Sequence, residues 1–322
     1  MTTKRIRSFQ TRVARIMGES RPVSMQLEIT NACNFRCLMC PFHGPEKASN
    51  RPIGCLQVAD YRSLLEQFRE MGGTFLIPQG AGESFLHPDI GEMLTIATAD
   101  MDLDVGLNTN GSHMSDEIIR TILDCGVKEI GFSIDALDPE TFHRITGGDL
   151  AQVEEGIDLL IARRRERRQR LPLIRVLIVE QAENREEIPE FVSRWISRVD
   201  EVVVQALRVE AGRTLGERRK EKRRPCRHLI DTIFVQWDGQ MVVCCEDWES
   251  VTGVGNVFES SLRELWLGPV MNAYRDAQRR GIWAPPEICR RCDAWAGGVE
   301  TTIDFGDRVQ TASALTRVWR RK

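Results

Sequence analysis

Short apolar segments alternate with helix-forming segments along most of the chain, and this order restricts the possible folds. The predicted strands are Met25–Thr30, Thr74–Gln79, Leu103–Asn108, Glu129–Ile134, Ile174–Val179 and Glu201–Gln205. The predicted helices between them are Val58–Met71, Pro88–Thr98, Ser115–Asp124, Leu150–Arg168 and Glu183–Ser197. Repetition of strand and then helix produces right-handed crossovers and a parallel sheet. Periodicity alone does not distinguish a barrel from a doubly wound sheet.

Composition excludes several functional classes. The 322 residues are enough for a large α/β domain and a smaller one. The chain has 44 Lys and Arg residues and 47 Asp and Glu residues, so its charges nearly balance. The overall charge therefore does not indicate binding to nucleic acid or to an anionic membrane. Arginine-rich stretches at Arg163–Arg170 and Arg218–Arg224 are interpreted as solvated surfaces, with attraction of an anionic substrate or partner as the alternative. Without a signal peptide or a long apolar run, we expect a cytoplasmic protein with no membrane contact.

The 10 cysteines occur at clustered spacings that favour metal binding over a secreted disulfide framework. Cys33, Cys37 and Cys40 follow the first predicted strand in the arrangement C-x3-C-x2-C. Three thiolates on one loop leave one iron of a [4Fe–4S] cluster without a protein ligand. A structural zinc would normally have a fourth protein ligand, for which His43 is the nearest candidate. We therefore favour an open cluster over zinc.

This cysteine loop after a first strand resembles the radical S-adenosylmethionine (radical SAM) superfamily, over about residues 22–210. The resemblance implies an α/β fold, the partial (β/α)6 TIM barrel. It also implies that the open iron binds SAM and that one electron cleaves SAM to methionine and a 5′-deoxyadenosyl radical, which takes a hydrogen atom from the substrate. A flavodoxin or ferredoxin is the implied one-electron donor.

Polar segments follow the next predicted strands. In a parallel barrel the active site lies at the C-terminal ends of the strands, which is where these segments are expected. By resemblance to family segments, the cofactor-binding candidates are Gly80, Ala81, Gly82, Glu83, Asn108, Ser133 and Asp135. A plain strand-to-helix turn would also favour glycine at the first of these segments. Ser133 and Asp135 alternate with Phe132 and Ile134, which predicts that they face the barrel interior, with helix capping as the alternative. Arg144 is suited to grip the SAM carboxylate bidentately.

The composition changes from Pro225 onward. A hairpin is predicted at Phe234–Val243 with its turn at Asp238-Gly239, and a helix around Ser261–Arg279. The accompanying cysteines are Cys226, Cys244, Cys289 and Cys292, a set that suits zinc or a second [4Fe–4S] cluster. This arrangement resembles the twitch domain, a truncated SPASM domain, and that resemblance assigns these four cysteines to one auxiliary cluster.

We divide the chain into four segments: an N-terminal extension, 1–21; the radical SAM core, 22–215; a small α+β twitch/SPASM-like domain, 216–305; and a C-terminal tail, 306–322. Three cysteines remain outside the two ligand sets. Cys125 is interpreted as buried packing and Cys55 receives no role. Cys245 adjoins a predicted cluster ligand at the mouth of the barrel, which makes it a candidate for catalysis.

A thiol S–H bond is weaker than most C–H bonds, so Cys245 could return a hydrogen atom to a substrate radical. Radical SAM epimerases use this logic, and some carry a Cys-Cys pair. The sequence therefore predicts an epimerase acting on a sugar-containing or peptide natural product, with Cys245 as the hydrogen-atom donor. Packing, or exchange with Cys244 as a ligand, is the alternative for this thiol.

Other reactions stay open. A dehydrogenase would oxidise a secondary alcohol, use the auxiliary cluster as electron acceptor and need a base, for which the nearby residues are Arg208, Glu210, Glu246 and Asp247. A decarboxylase, a carbon–carbon bond-forming enzyme and a maturase or activating enzyme for a protein partner are further alternatives. A non-enzymatic iron–sulfur scaffold would not need the segments at Gly80–Glu83 and Ser133–Asp135.

Overall fold

Six parallel strands in sequential order form the body of the protein. The structure is a computed structural model that describes residues 21–45, 49–207, 223, 225–283, 287–292, 301–313 and 315–321. The strands are β1 Ser24–Leu27, β2 Phe75–Ile77, β3 Asp104–Thr109, β4 Glu129–Ser133, β5 Leu173–Glu180 and β6 Glu201–Ala206. Each pairs in parallel with the next. A doubly wound sheet would reverse its strand order at a switch point, so this order confirms the predicted partial barrel.

Helices connect the parallel strands. They are α1 Val58–Glu70, α2 Ile90–Thr95 with a π turn over Ile96–Asp100, α3 Asp116–Asp124, α4 Pro139–Thr146, α5 Leu150–Glu166 and α6 Ile188–Ile196. Single 3-10 turns lie at Ser84–Leu86 and Arg185–Glu187, so the predicted helix from Glu183 begins in its regular form only at Ile188. The large fully buried side chains include Trp195, Phe132 and Phe142, and they place the core between strands and helices.

Helix α4 is absent from the sequence prediction. Its local signals are nevertheless present: the Asp138 carboxylate accepts a hydrogen bond from the backbone N–H of Thr141, and Pro139 occupies the first turn. Gly147 ends the helix with φ +73°, a left-handed conformation that favours glycine. The helix is important because it supports the cysteine loop.

The C-terminal part extends the sheet past β1. Its elements are α7 His228–Asp231, β7 Thr232–Val235, β8 Gln240–Val242, β9 Gly255–Asn256, α8 Leu262–Trp266, α9 Pro269–Arg279 and α10 Glu287–Arg291. β7 pairs in parallel with β1, and β8 returns antiparallel to β7, which confirms the hairpin. The single helix predicted over Ser261–Arg279 is wrong: Gly268 caps a new helix that has Pro269 in its first turn.

Three antiparallel strands extend the other edge of the sheet. They are β10 Thr301–Asp304, β11 Arg308–Ala312 and β12 Thr316–Arg321. β12 pairs antiparallel with β6, so residues set aside above as a C-terminal tail contribute strands to the sheet. Among the described residues, no helix combines the length and apolar character that crossing a membrane requires.

Candidate active site

The cysteine loop after β1 is held by the carboxyl end of α4. The backbone N–H of Arg36 donates to the carbonyl oxygen of Thr146 at 2.9 Å, and that of Leu38 donates to Ile145 at 2.8 Å. Carbonyl groups in the last turn of a helix have no partner within the helix. The loop N–H groups therefore supply hydrogen-bond partners for the last carbonyl groups of α4. In return, α4 fixes the backbone on both sides of Cys37.

Aromatic packing fixes the inner side of the same loop. Phe35 is buried and meets Phe142 of α4 edge-on, with ring centroids 6.2 Å apart. A Cβ atom at Gly148 would lie 2.2 Å from the Phe35 ring. Position 148 thus needs glycine for Phe35 to reach α4.

The segment after β2 closes tightly on the start of the cysteine loop. The backbone N–H of Glu83 donates to the carbonyl oxygen of Ala32 at 2.8 Å. A Cβ atom at Gly82 would lie 2.4 Å from that same oxygen, which only glycine avoids. The predicted Gly80–Glu83 segment and the cysteine loop are therefore neighbours in the structure.

The Glu83 side chain is buried and links the segment after β2 to the end of β3. Its carboxylate accepts from the backbone N–H of Asn110 at 2.7 Å, the Thr109 hydroxyl at 2.8 Å and the backbone N–H of Phe85 at 3.2 Å. Burial raises the pKa of Glu83, and these hydrogen bonds oppose the rise. A carboxylate has about four acceptor positions, so one remains for a ligand such as an ammonium group.

Asn110, which sequence reasoning did not assign, contacts the cysteine loop directly. Its side-chain amide donates to the Cys33 sulfur at 4.0 Å and to the Asn34 side-chain oxygen at 2.9 Å. The assigned residue, Asn108, instead donates its backbone N–H to the Gln79 side chain at 2.8 Å. The sequence signal for Asn110 is its position directly after β3, two residues beyond Asn108.

Asp135 connects β4 to β5 at the same edge of the sheet. One carboxylate oxygen accepts from the backbone N–H of Val179 at 2.9 Å, and burial raises the pKa of Asp135 to about 6. Phe132 and Ile134 are fully buried, Ser133 is half-buried and Asp135 is buried, so burial alone does not separate the two faces that the alternation predicts.

Two thiols of the cysteine loop, those of Cys33 and Cys37, are costly to ionise in the protein alone. Burial raises the pKa of Cys33 to about 11. Burial, and then the nearby Asp135 charge, also raises the pKa of Cys37. A bound cation reverses this effect, because metal coordination favours the thiolate. The three sulfurs are therefore donors suited to an iron cluster.

Arg144 lies on α4 with an exposed side chain. Its guanidinium donates to the Thr141 hydroxyl on the same helix at 3.1 Å. The contact with a SAM carboxylate stays a prediction.

All four cysteines assigned to the auxiliary cluster line one cavity in the C-terminal part. They are Cys226, Cys244, Cys289 and Cys292. Gln278 bridges two of them: its oxygen accepts from the backbone N–H of Cys226 at 2.6 Å, and its amide donates to the Cys289 sulfur at 3.7 Å. Burial raises the pKa of Cys244 and Cys226, and that of Cys289 to about 11. Among the described residues, no group of three or more Cys, His, Asp or Glu side chains is arranged so that it could hold a single metal ion.

A second cavity, of about 380 Å³, lies between the barrel and the C-terminal part. Its barrel-side lining includes Cys40 and Phe42, and the other wall includes Cys245, Glu246 and Trp248. The Cys245 thiol donates to the Glu246 carboxylate at 3.8 Å. Cys244 lines both cavities, whereas Cys245 lines only this one of the two.

A buried ion pair at this cavity was not predicted from sequence. The Arg51 guanidinium donates to the Glu28 carboxylate at 2.5 Å, and both side chains are less than one-tenth exposed. Glu28 also accepts from the backbone N–H groups of Ala81 at 2.9 Å and Trp237 at 3.4 Å. The pair therefore joins β1, the segment after β2 and the C-terminal hairpin.

The four candidate bases differ in position. Glu246 lines both cavities. The Asp247 carboxylate accepts from the backbone N–H groups of Val251 at 2.9 Å and Thr252 at 3.1 Å, which commits it to a local turn. Arg208 and Glu210 lie outside the described residues.

Comparison with protein families agrees with both predicted units. Residues 27–193 match the model of the radical SAM superfamily, and residues 226–293 match that of SPASM, an iron–sulfur cluster-binding domain. These matches confirm the predicted cofactors, SAM and two [4Fe–4S] clusters. The half-buried thiols of the two cysteine sets fit such groups.

Two curated relatives are GTP 3′,8-cyclases. The protein of Vibrio cholerae serotype O1 (strain M66-2) is 34% identical over 136 residues, covering 42% of this chain and 40% of the relative. That of Shewanella denitrificans is 30% identical over 177 residues, covering 54% of this chain and 50% of the relative. The chain thus spans half or less of the length of these relatives.

Solved structures share the fold at low identity. BtrN in complex with AdoMet and 2-DOIA has a TM-score of 0.58 at 16% identity, covering 85% of this chain and 94% of BtrN. Streptococcus suis SuiB bound to precursor peptide SuiA has a TM-score of 0.66 at 14% identity, covering 84% of this chain and 71% of SuiB. anSMEcpe with bound AdoMet and Cp18Cys peptide has a TM-score of 0.59 at 13% identity, covering 86% of this chain and 90% of anSMEcpe.

Gly82→Ala should remove the first cluster. The new Cβ would lie 2.4 Å from the Ala32 oxygen and 2.7 Å from the Asn31 carbonyl carbon, so the cysteine loop must move. Iron content after anaerobic reconstitution should fall from about eight per chain, two four-iron clusters, to about four. Gly91→Ala, whose Cβ would meet Thr121 at an ordinary 3.6 Å, is the control and should keep full iron. Full iron in Gly82→Ala would contradict the close approach.

Gln278→Leu should lower the reduction potential of the auxiliary cluster. The change removes the hydrogen bond to the Cys289 sulfur, which stabilises the extra negative charge of a reduced cluster. A potentiometric titration followed by electron paramagnetic resonance measures the change, and the first cluster in the same variant is the internal control. An unchanged reduction potential of the auxiliary cluster would show that the Gln278 hydrogen bond does not affect the cluster.

Proposed function

The chain belongs to the radical SAM superfamily, and we propose that it is an epimerase that inverts a carbon centre of a sugar-containing or peptide substrate. The observation that carries this proposal is the placement of Cys245. Its thiol lines the cavity that also contains Cys40 of the cysteine loop, whereas its neighbour Cys244 also lines the auxiliary cavity.

The residues divide into groups with separate tasks. Cys33, Cys37 and Cys40 would hold the SAM-binding cluster, and Cys226, Cys244, Cys289 and Cys292 the auxiliary one. When bound, SAM and the first cluster supply the 5′-deoxyadenosyl radical that takes the substrate hydrogen. The residues proposed to position SAM are Gly80, Ala81, Gly82, Glu83, Asn108, Ser133, Asp135 and Arg144.

Cys245 would complete the inversion from the opposite face of the substrate carbon. Its S–H bond breaks and a new C–H bond forms, which leaves a sulfur radical on Cys245. One electron from the donor protein and one proton from solvent then restore the thiol. Glu246 accepts the thiol hydrogen bond at 3.8 Å and so helps to orient the S–H group.

Support for the substrate class comes from the cavity. Its volume, about 380 Å³, suits a small molecule or a few residues of a peptide. Phe42 and Trp248 meet edge-on at 5.8 Å and provide an aromatic surface from both sides of the cavity. The neighbouring folds are found with 2-DOIA and with peptides, so a cytoplasmic enzyme acting on either kind of substrate is consistent with the fold.

One observation favours a second candidate, a dehydrogenase. Glu246 lines both the cavity that Cys245 lines and the auxiliary cavity. A base at that position would take the proton of a secondary alcohol while the auxiliary site accepts the electron. A maturase with a peptide substrate is a further candidate, since the SuiB neighbour carries a precursor peptide.

Cys245→Ala should abolish product formation while SAM cleavage continues. The wild-type protein, incubated in deuterated water with a panel of amino sugars and short peptides, should give an isomeric product with one added deuterium, because a thiol exchanges with solvent. Mass spectrometry detects the label. Cys125→Ala is the matched control, since that thiol contacts Thr95 away from the cavity. Normal turnover by Cys245→Ala would contradict the epimerase, and a ketone without solvent deuterium would favour the dehydrogenase.

A further inference from the structure

A half-buried arginine lies at the cavity of the auxiliary cysteines. Arg223 lines this cavity together with Cys226, Cys244, Cys289 and Cys292. A guanidinium keeps its positive charge at every working pH. That charge opposes the burial that raises the pKa of Cys226 and of Cys289. A fixed positive charge is thus placed beside the proposed cluster ligands.

Hydrogen bonds and an aromatic ring hold the Arg223 side chain in this position. Its guanidinium donates to the backbone carbonyl oxygen of Cys289, and to that of Arg290 at 3.2 Å. It also lies over the Trp283 ring, with 4.8 Å between the guanidinium carbon and the ring centroid. Because a guanidinium is planar, these contacts restrict its orientation. The charge is therefore attached to the helix α10 that carries Cys289.

The charged side chains at the two cavities are distributed unequally. Among the described residues that line the auxiliary cavity, Arg223 is the one arginine or lysine, and the other titratable groups besides the cysteines are His228 and Glu246. Glu246 also lines the cavity that contains Cys245, whereas Arg223 lines only the auxiliary cavity of the two. The charge of Arg223 is therefore directed at the auxiliary site and not at the proposed substrate cavity.

We propose that Arg223 raises the reduction potential of the auxiliary cluster, so that this cluster accepts an electron more readily. Reduction adds one negative charge to the cluster without making or breaking a covalent bond, and a nearby fixed cation stabilises that charge. The inference goes beyond the proposed function, because it depends on the auxiliary cluster and its proposed ligands and not on the reaction of the substrate. Arg223 is a positioning residue in this role, since it acts through the cluster.

The test is a redox titration of the reconstituted full-length protein, without SAM or substrate, followed by electron paramagnetic resonance. Arg223→Gln keeps hydrogen-bond donors but removes the charge. It should lower the equilibrium constant for reduction of the auxiliary cluster roughly tenfold, which is about 59 mV for one electron. Arg223→Lys should keep most of the wild-type potential, and Arg223→Glu should lower the potential further than Arg223→Gln.

Two controls accompany these variants. Arg280→Gln removes an exposed charge at the end of α9 and should leave the potential of the auxiliary cluster unchanged. The SAM-binding cluster of each variant is the internal control, and iron content identifies any variant that has lost a cluster. If Arg223→Gln loses iron, Arg223→Met, which keeps an apolar stem beside Trp283, decides by the same criterion.

Two results would overturn the proposal. One is a wild-type potential for the auxiliary cluster in an iron-loaded, uncharged variant of Arg223. The other is an equal shift in the Lys, Gln and Glu variants, because a structural role depends on the guanidinium hydrogen bonds and not on the charge. Normal turnover by Cys245→Ala would contradict the epimerase and leave these potentials as they are, so the two proposals fail separately.

Discussion

Acidic groups are buried together at the carboxyl ends of the barrel strands, and the cost of ionising them governs the site. Glu83, Asp135 and the thiols of Cys33 and Cys37 are all shielded from water, which raises the pKa of each. An anion in such surroundings needs a nearby cation or hydrogen-bond donors. Glu83 and Asp135 receive hydrogen bonds from the backbone, and Cys33 receives them from the Phe35 backbone and the Asn110 side chain. A bound iron cluster would supply the cationic charge that favours the thiolate form of the sulfurs.

The same site depends on backbone contacts that only small residues permit. The cysteine loop is attached on one side to the end of α4 and on the other to the segment after β2, and glycines at positions 148 and 82 allow both approaches. Neither attachment uses a thiol. The loop can therefore be held in place while its three sulfurs remain free to bind a cluster.

Sequence reasoning predicted the strands well because each is a short apolar segment followed by a turn. It missed α4, which has only eight residues, several of them polar, although Asp138, Pro139 and Gly147 were visible signals. It also missed the ion pair between Glu28 and Arg51, because these residues are 23 positions apart and meet only in the folded chain. The grouping of four distant cysteines came from family resemblance, and the structure places all of them at one cavity. Substrate identity was out of reach because the cavity that Cys245 lines is formed by side chains from both parts of the chain.

The central claim is that the cysteine loop supports reductive cleavage of SAM. The most direct measurement is the formation of 5′-deoxyadenosine by anaerobically reconstituted protein given SAM and dithionite, quantified by liquid chromatography and mass spectrometry. The account predicts 5′-deoxyadenosine from the wild-type protein and none from Cys37→Ser. Iron-loaded wild-type protein that forms no 5′-deoxyadenosine, or a Cys37→Ser variant that forms as much as the wild type, would contradict it.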